Sequence, residues 1–587
     1  MTIRTARRVT QVFFLVLFLW LCVVSSSGDG FWQRGGWPVN WLLQLDPLVA
    51  VGVALAAGTL TVGLLWVLAT FVLTVLFGRV FCGWLCPFGT IHQAVGWLGR
   101  RRRPLEDRIR LNRYRRWQSA KYYVLGFVLA AAALSALGGW HSSAGSLLTG
   151  LLDPIPLVYR SVTLVVLPIV DGGLQRVWIT ARLADGTVLM GAIFVAAVLA
   201  NLGIPRFYCR FVCPTGALLG VFSRLTIWRI GRRPEPCTIC RLCEKDCEGA
   251  CNPASDVRSS ECVMCVNCIV DCRHDAIAYQ VHKSPGEITG PDVSRRGVLV
   301  SLVSGLVAVP ILRLGGRLTS NWPAGLIRPP GALVEEEFLN RCIKCGQCMR
   351  VCPTNVIQPT GAQFGIESLW TPMLNNRIGT SGCQLNCVAC GDICPTGAIR
   401  PISLDEKLGR GEFADNGPIR LGTAFVDRGR CLPWAMDKPC IVCQENCPVS
   451  PKAIFIGEVY QTVRDGVLTV RESAPDRLAL AGAAWSEGVW ASGDYYVKGV
   501  DAPDDDRRRI VQQTSDILRI SPERPWSAPP AAGSRVAVQV RLQQPNIDPD
   551  KCIGCGVCEH ECPVSGLRAI RVTAENESRS PKRSLLL

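Results

Sequence analysis

Histidine is scarce in this chain. There are five, His92, His141, His274, His282 and His560, and no two stand at a spacing that would set them on one metal ion. Each is expected to be structural. No C-x-x-C-H occurs, which excludes an attached c-type haem. No G-x-G-x-x-G or P-loop fingerprint occurs, so nucleotide binding has no support. A flavin-attachment motif of the S/T-G-A-T type is also missing. Acidic residues are outnumbered, 47 against 63 Lys and Arg, for a formal net charge of +16. Such an excess can serve nucleic acid, but here the basic residues gather beside apolar runs. That is the positive-inside pattern of a membrane protein, and nucleic acid is not an expected partner.

Cysteine, by contrast, is abundant: thirty in 587 residues. A disulfide scaffold and zinc are the two ordinary readings of such a count. Spacing argues against both, because 24 of the thirty fall into six groups with the spacing of iron–sulfur ligands. Zinc favours two C-x-x-C pairs far apart, whereas C-x-x-C-x-x-C wraps one loop around a cube and leaves its fourth cysteine to a partner cluster. Thiolate is the soft ligand such clusters need.

Four apolar runs lie in the first 203 residues, at 11–24, 48–77, 122–137 and 188–202. With interfacial extensions each can approach the ~20 residues of a span, and the second is long enough to tilt. Arg4, Arg7 and Arg8 precede the first run, a dense basic stretch from Arg79 to Lys121 separates the second and third, and Arg206, Arg210, Arg224, Arg229, Arg232 and Arg233 follow the fourth. The other two loops hold only Arg34 in one and Arg160, Arg176 and Arg182 in the other. The N-terminus and the loops after the second and fourth runs are therefore expected in the cytoplasm. The short run 162–170, with Pro168, reads as an interfacial segment.

The expected fold is an α-helical membrane domain of two hairpins plus a fifth helix, joined to α+β ferredoxin-like domains. Residues 1–230 form the membrane domain. It carries two copies of C-x-x-x-C-P, Cys82/Cys86 and Cys209/Cys213, each just past a returning helix, which reads as an internal repeat. Residues 231–285 form a cytoplasmic two-cluster block. Cys237, Cys240 and Cys243 are expected to take Cys272, and Cys262, Cys265 and Cys268 to take Cys247, with Cys251 as a rival. Residues 286–328 hold Ser294, Arg295 and Arg296 before the apolar run 297–312. This is either a twin-arginine-like export signal or a basic pair before a buried helix. No A-x-A-like cleavage site follows, so the run would stay as the fifth helix.

Residues 329–587 carry four more groups: Cys342, Cys345, Cys348 and Cys352; Cys383, Cys387, Cys390 and Cys394; Cys431, Cys440, Cys443 and Cys447; and Cys552, Cys555, Cys558 and Cys562. Each ends in proline. The second and third are stretched at the first cysteine. Pairing one with four and two with three is the expectation. An insertion at about 450–550 holds a hairpin signal at Asp465-Gly466, a period-two strand in "SRVAVQVRL" and a solvated loop at 501–509. Cys22 is expected to be an inert buried thiol. Asp153, near Arg160, is either an intramembrane proton carrier or a loop cap before Pro154.

The first 280 residues resemble the NapH-type membrane ferredoxins, whose core is shared by the NosR and CcoG types, in the four helices, the two C-x-x-x-C-P pairs and the two-cluster block. The remainder resembles the NapG/MauM-type periplasmic polyferredoxins in Arg295/Arg296, in "RPPGALVEEEF" at 328–338 and in "CLPWA" at 431–435. The resemblance implies a NapH–NapG fusion in a bacterial inner membrane. It would be an electron carrier or a quinol dehydrogenase component, moving electrons from the membrane quinone pool through six [4Fe–4S] clusters to a periplasmic redox protein. A bilayer core of ~30 Å is too thick for one efficient tunnelling step, so a relay is needed, and Cys82, Cys86, Cys209 and Cys213 are its candidates, as metal or redox thiols. The competing expectation is a CcoG-type maturation factor in which these thiols handle copper or redox state. A NosR-like regulator would need the missing flavin motif and a large N-terminal sensory domain.

Overall fold

The computed structural model describes residues 2–25, 38–136, 150–174, 186–233, 237–317, 323–483 and 485–585. His141, Arg34, Arg176 and Arg182 lie outside them. The chain forms two compact units, Met1–Asn375 with Asn386–Gly417, and Asn376–Leu385 with Pro418–Leu587. The division falls inside the expected four-cluster region and within its second cysteine group.

The first unit is helical at its centre. Ile3–Val24 is apolar, and Thr2 caps it by accepting a hydrogen bond from the Thr5 N–H. It is the one helix among the described residues long and apolar enough to cross a membrane by length and composition. The run 48–77, expected as one helix long enough to tilt, is broken in two. Asp46 and Pro47 start the helix Pro47–Ala57, which Gly58 ends in a left-handed conformation, and the chain resumes through Val62–Trp66 into Val67–Phe77. The run 162–170 is not an isolated interfacial piece either. Pro154–Ser161 continues through a π-turn, Val162–Val166, into Leu167–Leu174. The widened turn lies just before Pro168, where the helix loses a donor.

Ala120–Ala136 and Thr187–Gly203 fall where the third and fourth runs predict. The run at 297–312 lies within the helix Arg295–Arg317. That helix packs along Ala120–Ala136 in the same direction, Gly297 meeting Tyr123, Ser301 meeting Gly126 and Gly305 meeting Phe127. A Cβ on Gly305 would run into the Phe127 carbonyl oxygen, so the two backbones touch.

Two cysteine-rich blocks flank these helices. Arg229–Arg232 pairs antiparallel with Ile277–Gln280 around residues 237–272. Ile357–Pro359 pairs with Pro372–Leu374 beside residues 342–352. The ferredoxin-like α+β expectation holds for these blocks.

The second unit carries a closed antiparallel barrel of Ile517–Ile520, Arg477–Ala481, Ile454–Ala474, Arg535–Ile547, Tyr495–Gly499 and Arg508–Gln513. Its core includes Val470, Leu478, Val497, Ile510, Leu518, Val536 and Val538. The strand in "SRVAVQVRL" is there. The hairpin at Asp465-Gly466 is not: the strand runs straight through, with Asp465 left-handed and the register against Arg535–Ile547 shifting between Ala537 and Gln539. The turn-forming dipeptide is spent on a bulge.

Candidate iron-sulfur centres

Four C-x-x-C-x-x-C loops share one backbone device. The residues on either side of the middle cysteine are left-handed: Ile239 and Arg241, Met264 and Val266, Lys344 and Gly346, Gly554 and Gly556. This curls the loop and turns its N–H groups inward, the concavity that holds an anionic centre. For Ile239 and Val266, branched at Cβ, the conformation costs about 1–3 kcal/mol, which a cluster-sized body inside the loop accounts for. The stretched groups at 387–390 and 440–443 lack the device.

Three apolar cavities are each ringed by four cysteines. Cys342, Cys345 and Cys348 share one with Cys394. Cys431, Cys440 and Cys443 share another with Cys562. Cys552, Cys555 and Cys558 share the third with Cys447. In each, the fourth thiol is the C-P cysteine of another group, as clusters in a pair require. The partners, however, are one with two and three with four, not the expected one with four and two with three. Sequence neighbours pair because each pair is built from consecutive chain, with the barrel extruded between the last two groups. Cys387 lies beside Cys352 in the first unit. Cys383 belongs to the second, where its N–H donates to the Cys555 carbonyl oxygen at 2.7 Å.

At residues 237–272, Cys243 is acted on by Cys247, Cys272 and Cys240. Cys247 acts on Cys265 and Cys268 alike, while the rival Cys251 lies 3.5 Å from Cys247, sulfur to sulfur. Hydrogen bonding from Cys251 lowers the thiols of both Cys247 and Cys262. Cys251 thus contacts both Cys247 and Cys262, as a rival fourth thiol would.

The two C-x-x-x-C-P segments fold alike. The N–H groups of Cys86 and Cys213 reach back five residues, to Phe81 and Tyr208, at 2.9 Å each. Each of these cysteines then caps a helix, Pro87–Arg100 or Pro214–Phe222. Proline at the first helical position has no donor to leave unpaired. The cysteine sulfur accepts the N–H of the glycine three residues on, Gly89 at 3.4 Å and Gly216 at 3.1 Å. Only glycine fits there. A Cβ on Gly89 would lie 2.7 Å from the Cys82 carbonyl oxygen, and one on Gly216 2.9 Å from Arg79 Nη2. Each residue of C-x-x-x-C-P-x-G other than the spacers therefore has a job.

The four thiols converge. Cys82 and Cys209 act on each other and on both Cys86 and Cys213. Burial pushes the Cys86, Cys209 and Cys213 thiols up, and their mutual repulsion adds to it; Arg206 and Arg79 oppose it at Cys209. A group that draws off the thiol protons relieves this. Among the described residues, no three Cys, His, Asp or Glu side chains close around a single metal ion. A cubane cluster spreads its ligands around a larger body, and the buried guanidinium groups of Arg79 and Arg206, each with a nitrogen lacking a partner, act on Cys82, Cys209 and Cys213. The residues fit such a group.

On one side, this site adjoins residues 237–272. Trp84 Nε1 donates to the Met264 carbonyl at 2.9 Å and Arg79 Nη1 to that of Ser260 at 2.8 Å. Glu248, next to Cys247, pairs with Arg7 at 2.7 Å and Arg206 at 2.9 Å, all three 1% exposed. Burial pushes the Glu248 carboxyl up, but the two guanidinium groups outweigh it and hold the group at about 2. On the other side, a single buried apolar cluster joins Cys86 and Cys213 to Tyr208, Tyr159, Ile343 and Cys345. Arg160 Nη1 donates to the Lys344 carbonyl at 3.1 Å, and Thr61 Oγ1 to that of Pro395 at 3.1 Å.

Asp153 is fully buried and makes no capping bond; its Oδ1 accepts from Thr215 Oγ1 at 2.8 Å, inside the second C-P-x-G. Asp153 does stand at the N-cap position before Pro154, in extended backbone, with its carboxylate also tied to Thr215. Cys22 is buried in the apolar cluster, as expected. His92 is buried against Phe88, its ring 4.0 Å away, and burial, with the Arg206 charge, holds it neutral at about 3. His274 and His282 are exposed, and His560 Nδ1 lies 3.1 Å from the Asn376 carbonyl oxygen. Arg79 and Arg206 were legible only as positive-inside charges. Both stand three residues before the first cysteine of their motif, and that equal offset was the missed signal.

Comparison with known proteins agrees with the repeat. A 4Fe-4S binding domain family model matches twice, at 59–106 and 186–233, which contain the two C-x-x-x-C-P pairs. A 4Fe-4S dicluster model matches 335–399, spanning groups one and two together, and a further 4Fe-4S binding model matches 545–568. NapG of Escherichia coli, a ferredoxin-type protein, is 32% identical over 30% of this chain and 72% of its own length. The chain belongs to that ferredoxin-type iron–sulfur electron-transport family. YccM of Escherichia coli is 27% identical over 46% of this chain and 72% of its own, and NirI of Paracoccus denitrificans 32% over 40%. The chain spans only 32% of NirI. No solved structure matches.

Proposed function

We propose that this family member is a membrane-bound electron carrier in which a NapH-like half and a NapG-like half are one chain. It would take electrons from the quinol pool and deliver them to a redox protein on the periplasmic side. The reading rests on one observation. The four C-x-x-x-C-P thiols lie between two cysteine-rich blocks of one compact unit, joined to one by buried ion pairs and to the other by a continuous apolar cluster. The 24 cysteines of the six groups would hold six [4Fe–4S] clusters, and Cys82, Cys86, Cys209 and Cys213 a seventh. Bound clusters supply one-electron chemistry; the protein's part is to hold them in dry, fixed sites close enough to exchange electrons.

Insertion in the membrane is supported by exposed apolar side chains on several helices. Val9, Val12, Phe13 and Val16 face outward from the first. Leu68 and Val72, Ile193 and Val195, and Val300 and Val303 do so from others. Arg295–Arg317 runs parallel to Ala120–Ala136, so both helices leave from the side of their basic N-terminal flanks. That carries residues 323–587 to the periplasm if the basic loops are cytoplasmic. The test is anaerobic reduction of the purified chain by a soluble quinol. Bleaching of cluster absorbance is expected; clusters that dithionite bleaches and the quinol leaves oxidised would overturn the reading. Copper at the four thiols in place of iron would favour the maturation factor.

A further inference from the structure

The two arginines before the C-x-x-x-C-P motifs are exchanged between the repeats. Arg206, of the second, donates through Nη1 to the Cys82 carbonyl of the first at 3.0 Å. Arg79, of the first, lies against Gly216 of the second, where an added Cβ would sit 2.9 Å from its Nη2 and 3.3 Å from the Cys213 sulfur. Each guanidinium is 1% exposed. Each is anchored at its far side on the 237–272 block, Arg206 on Glu248 at 2.9 Å and Arg79 on the Ser260 carbonyl at 2.8 Å. These anchors flank Cys247 and Cys262. Each arginine still has a buried nitrogen without a partner, Nη2 of Arg206 and Nε of Arg79. A buried donor left empty costs about 1–3 kcal/mol, and two such donors of like charge beside the same four thiols are not needed for packing.

We propose that Arg79 and Arg206 are a cross-repeat pair of positioning residues that donate to the sulfur of the centre held by the four thiols and set its reduction potential. The inference rests on the reading of those thiols as a cluster site. Positive charge and hydrogen bonds to sulfur favour the reduced, more negative state. The pseudo-symmetry makes the two contributions alike, and the anchors tie the potential to the position of the neighbouring block.

The experiment is an EPR-monitored redox titration of the full-length chain in detergent. The signal of the centre is defined first, as the one lost in both Cys82→Ser and Cys209→Ser. R79Q and R206Q are each expected to weaken reduction of that centre about tenfold, a shift of ~59 mV to lower potential for a one-electron couple, and to leave the other signals in place. R79K and R206K keep the charge without the planar fork and should fall between wild type and the Gln variants. If the Gln variants lose the signal, the Lys variants carry the test, with a lowered potential supporting the proposal and an unshifted one overturning it. An unshifted signal in the Gln variants also overturns it. If no signal depends on Cys82 and Cys209 together, the cluster reading of the four thiols has failed instead.

Discussion

Two kinds of thiol cage stand side by side in the first unit, and they are built by opposite means. The 262–268 loop takes three thiols from one short stretch and curls it with left-handed Met264 and Val266. The four-thiol site takes two thiols from each of two helical turns, and no residue within Cys82–Cys86 or Cys209–Cys213 is left-handed. Its curvature comes from bringing two repeats together. A ferredoxin loop is thus a local object, strained in its own backbone. The C-x-x-x-C-P site is a tertiary object, with left-handed Arg206 just before the second pair but no such residue between its paired cysteines, and it depends on packing far along the chain. Half a ferredoxin motif suffices there because the other half arrives from residues about 130 positions away.

This contrast can be broken in graded ways. The largest effect is expected for Cys82→Ser or Cys213→Ser: quinol-driven reduction of an external acceptor should be abolished while dithionite still reduces the remaining clusters, as absorbance kinetics would report. Next comes Glu248→Gln, which leaves Arg7 and Arg206 facing a neutral group inside the protein. Breaking a buried pair of this kind costs about 3–5 kcal/mol, visible as a lower unfolding temperature and earlier loss of iron on heating. Gly89→Ala and Gly216→Ala should each cost about 1–3 kcal/mol by overpacking, read in the same melt, because the added carbon meets the Cys82 carbonyl or Arg79. Smallest, and of opposite sign, is Ile239→Gly. Its side chain is 61% exposed, so little packing is lost, and relief of the left-handed strain should stabilise the 237–243 loop by about 1 kcal/mol. If Ile239→Gly destabilised as much as Gly89→Ala, the distinction between local and tertiary cages would fail.

Much of this was legible in the sequence because ligand spacing is a local property. The six groups, the repeat and the helices at 120–136, 187–203 and 295–317 follow from patterns within a few tens of residues. What escaped depends on contacts. Gly58 breaks the run 48–77, and hydropathy does not register the turn it makes. Asp465-Gly466 reads as a hairpin, yet Arg535–Ile547 pairs on both sides of it and forces a bulge. The pairing of cysteine groups rests on which C-P cysteine folds into which loop, and the barrel between groups three and four disguised their adjacency. Arg79 and Arg206 looked like topogenic charges because charge alone does not distinguish a buried arginine from an exposed one, and only their equal offset from the two motifs sets them apart.

The central claim, that Cys82, Cys86, Cys209 and Cys213 hold one shared centre, is tested most directly by low-temperature EPR of the reduced full-length protein carrying Cys86→Ser or Cys213→Ser, one from each repeat. Both substitutions should remove the same signal and the same single cluster's worth of iron. Loss of two different signals, or of none, would contradict it.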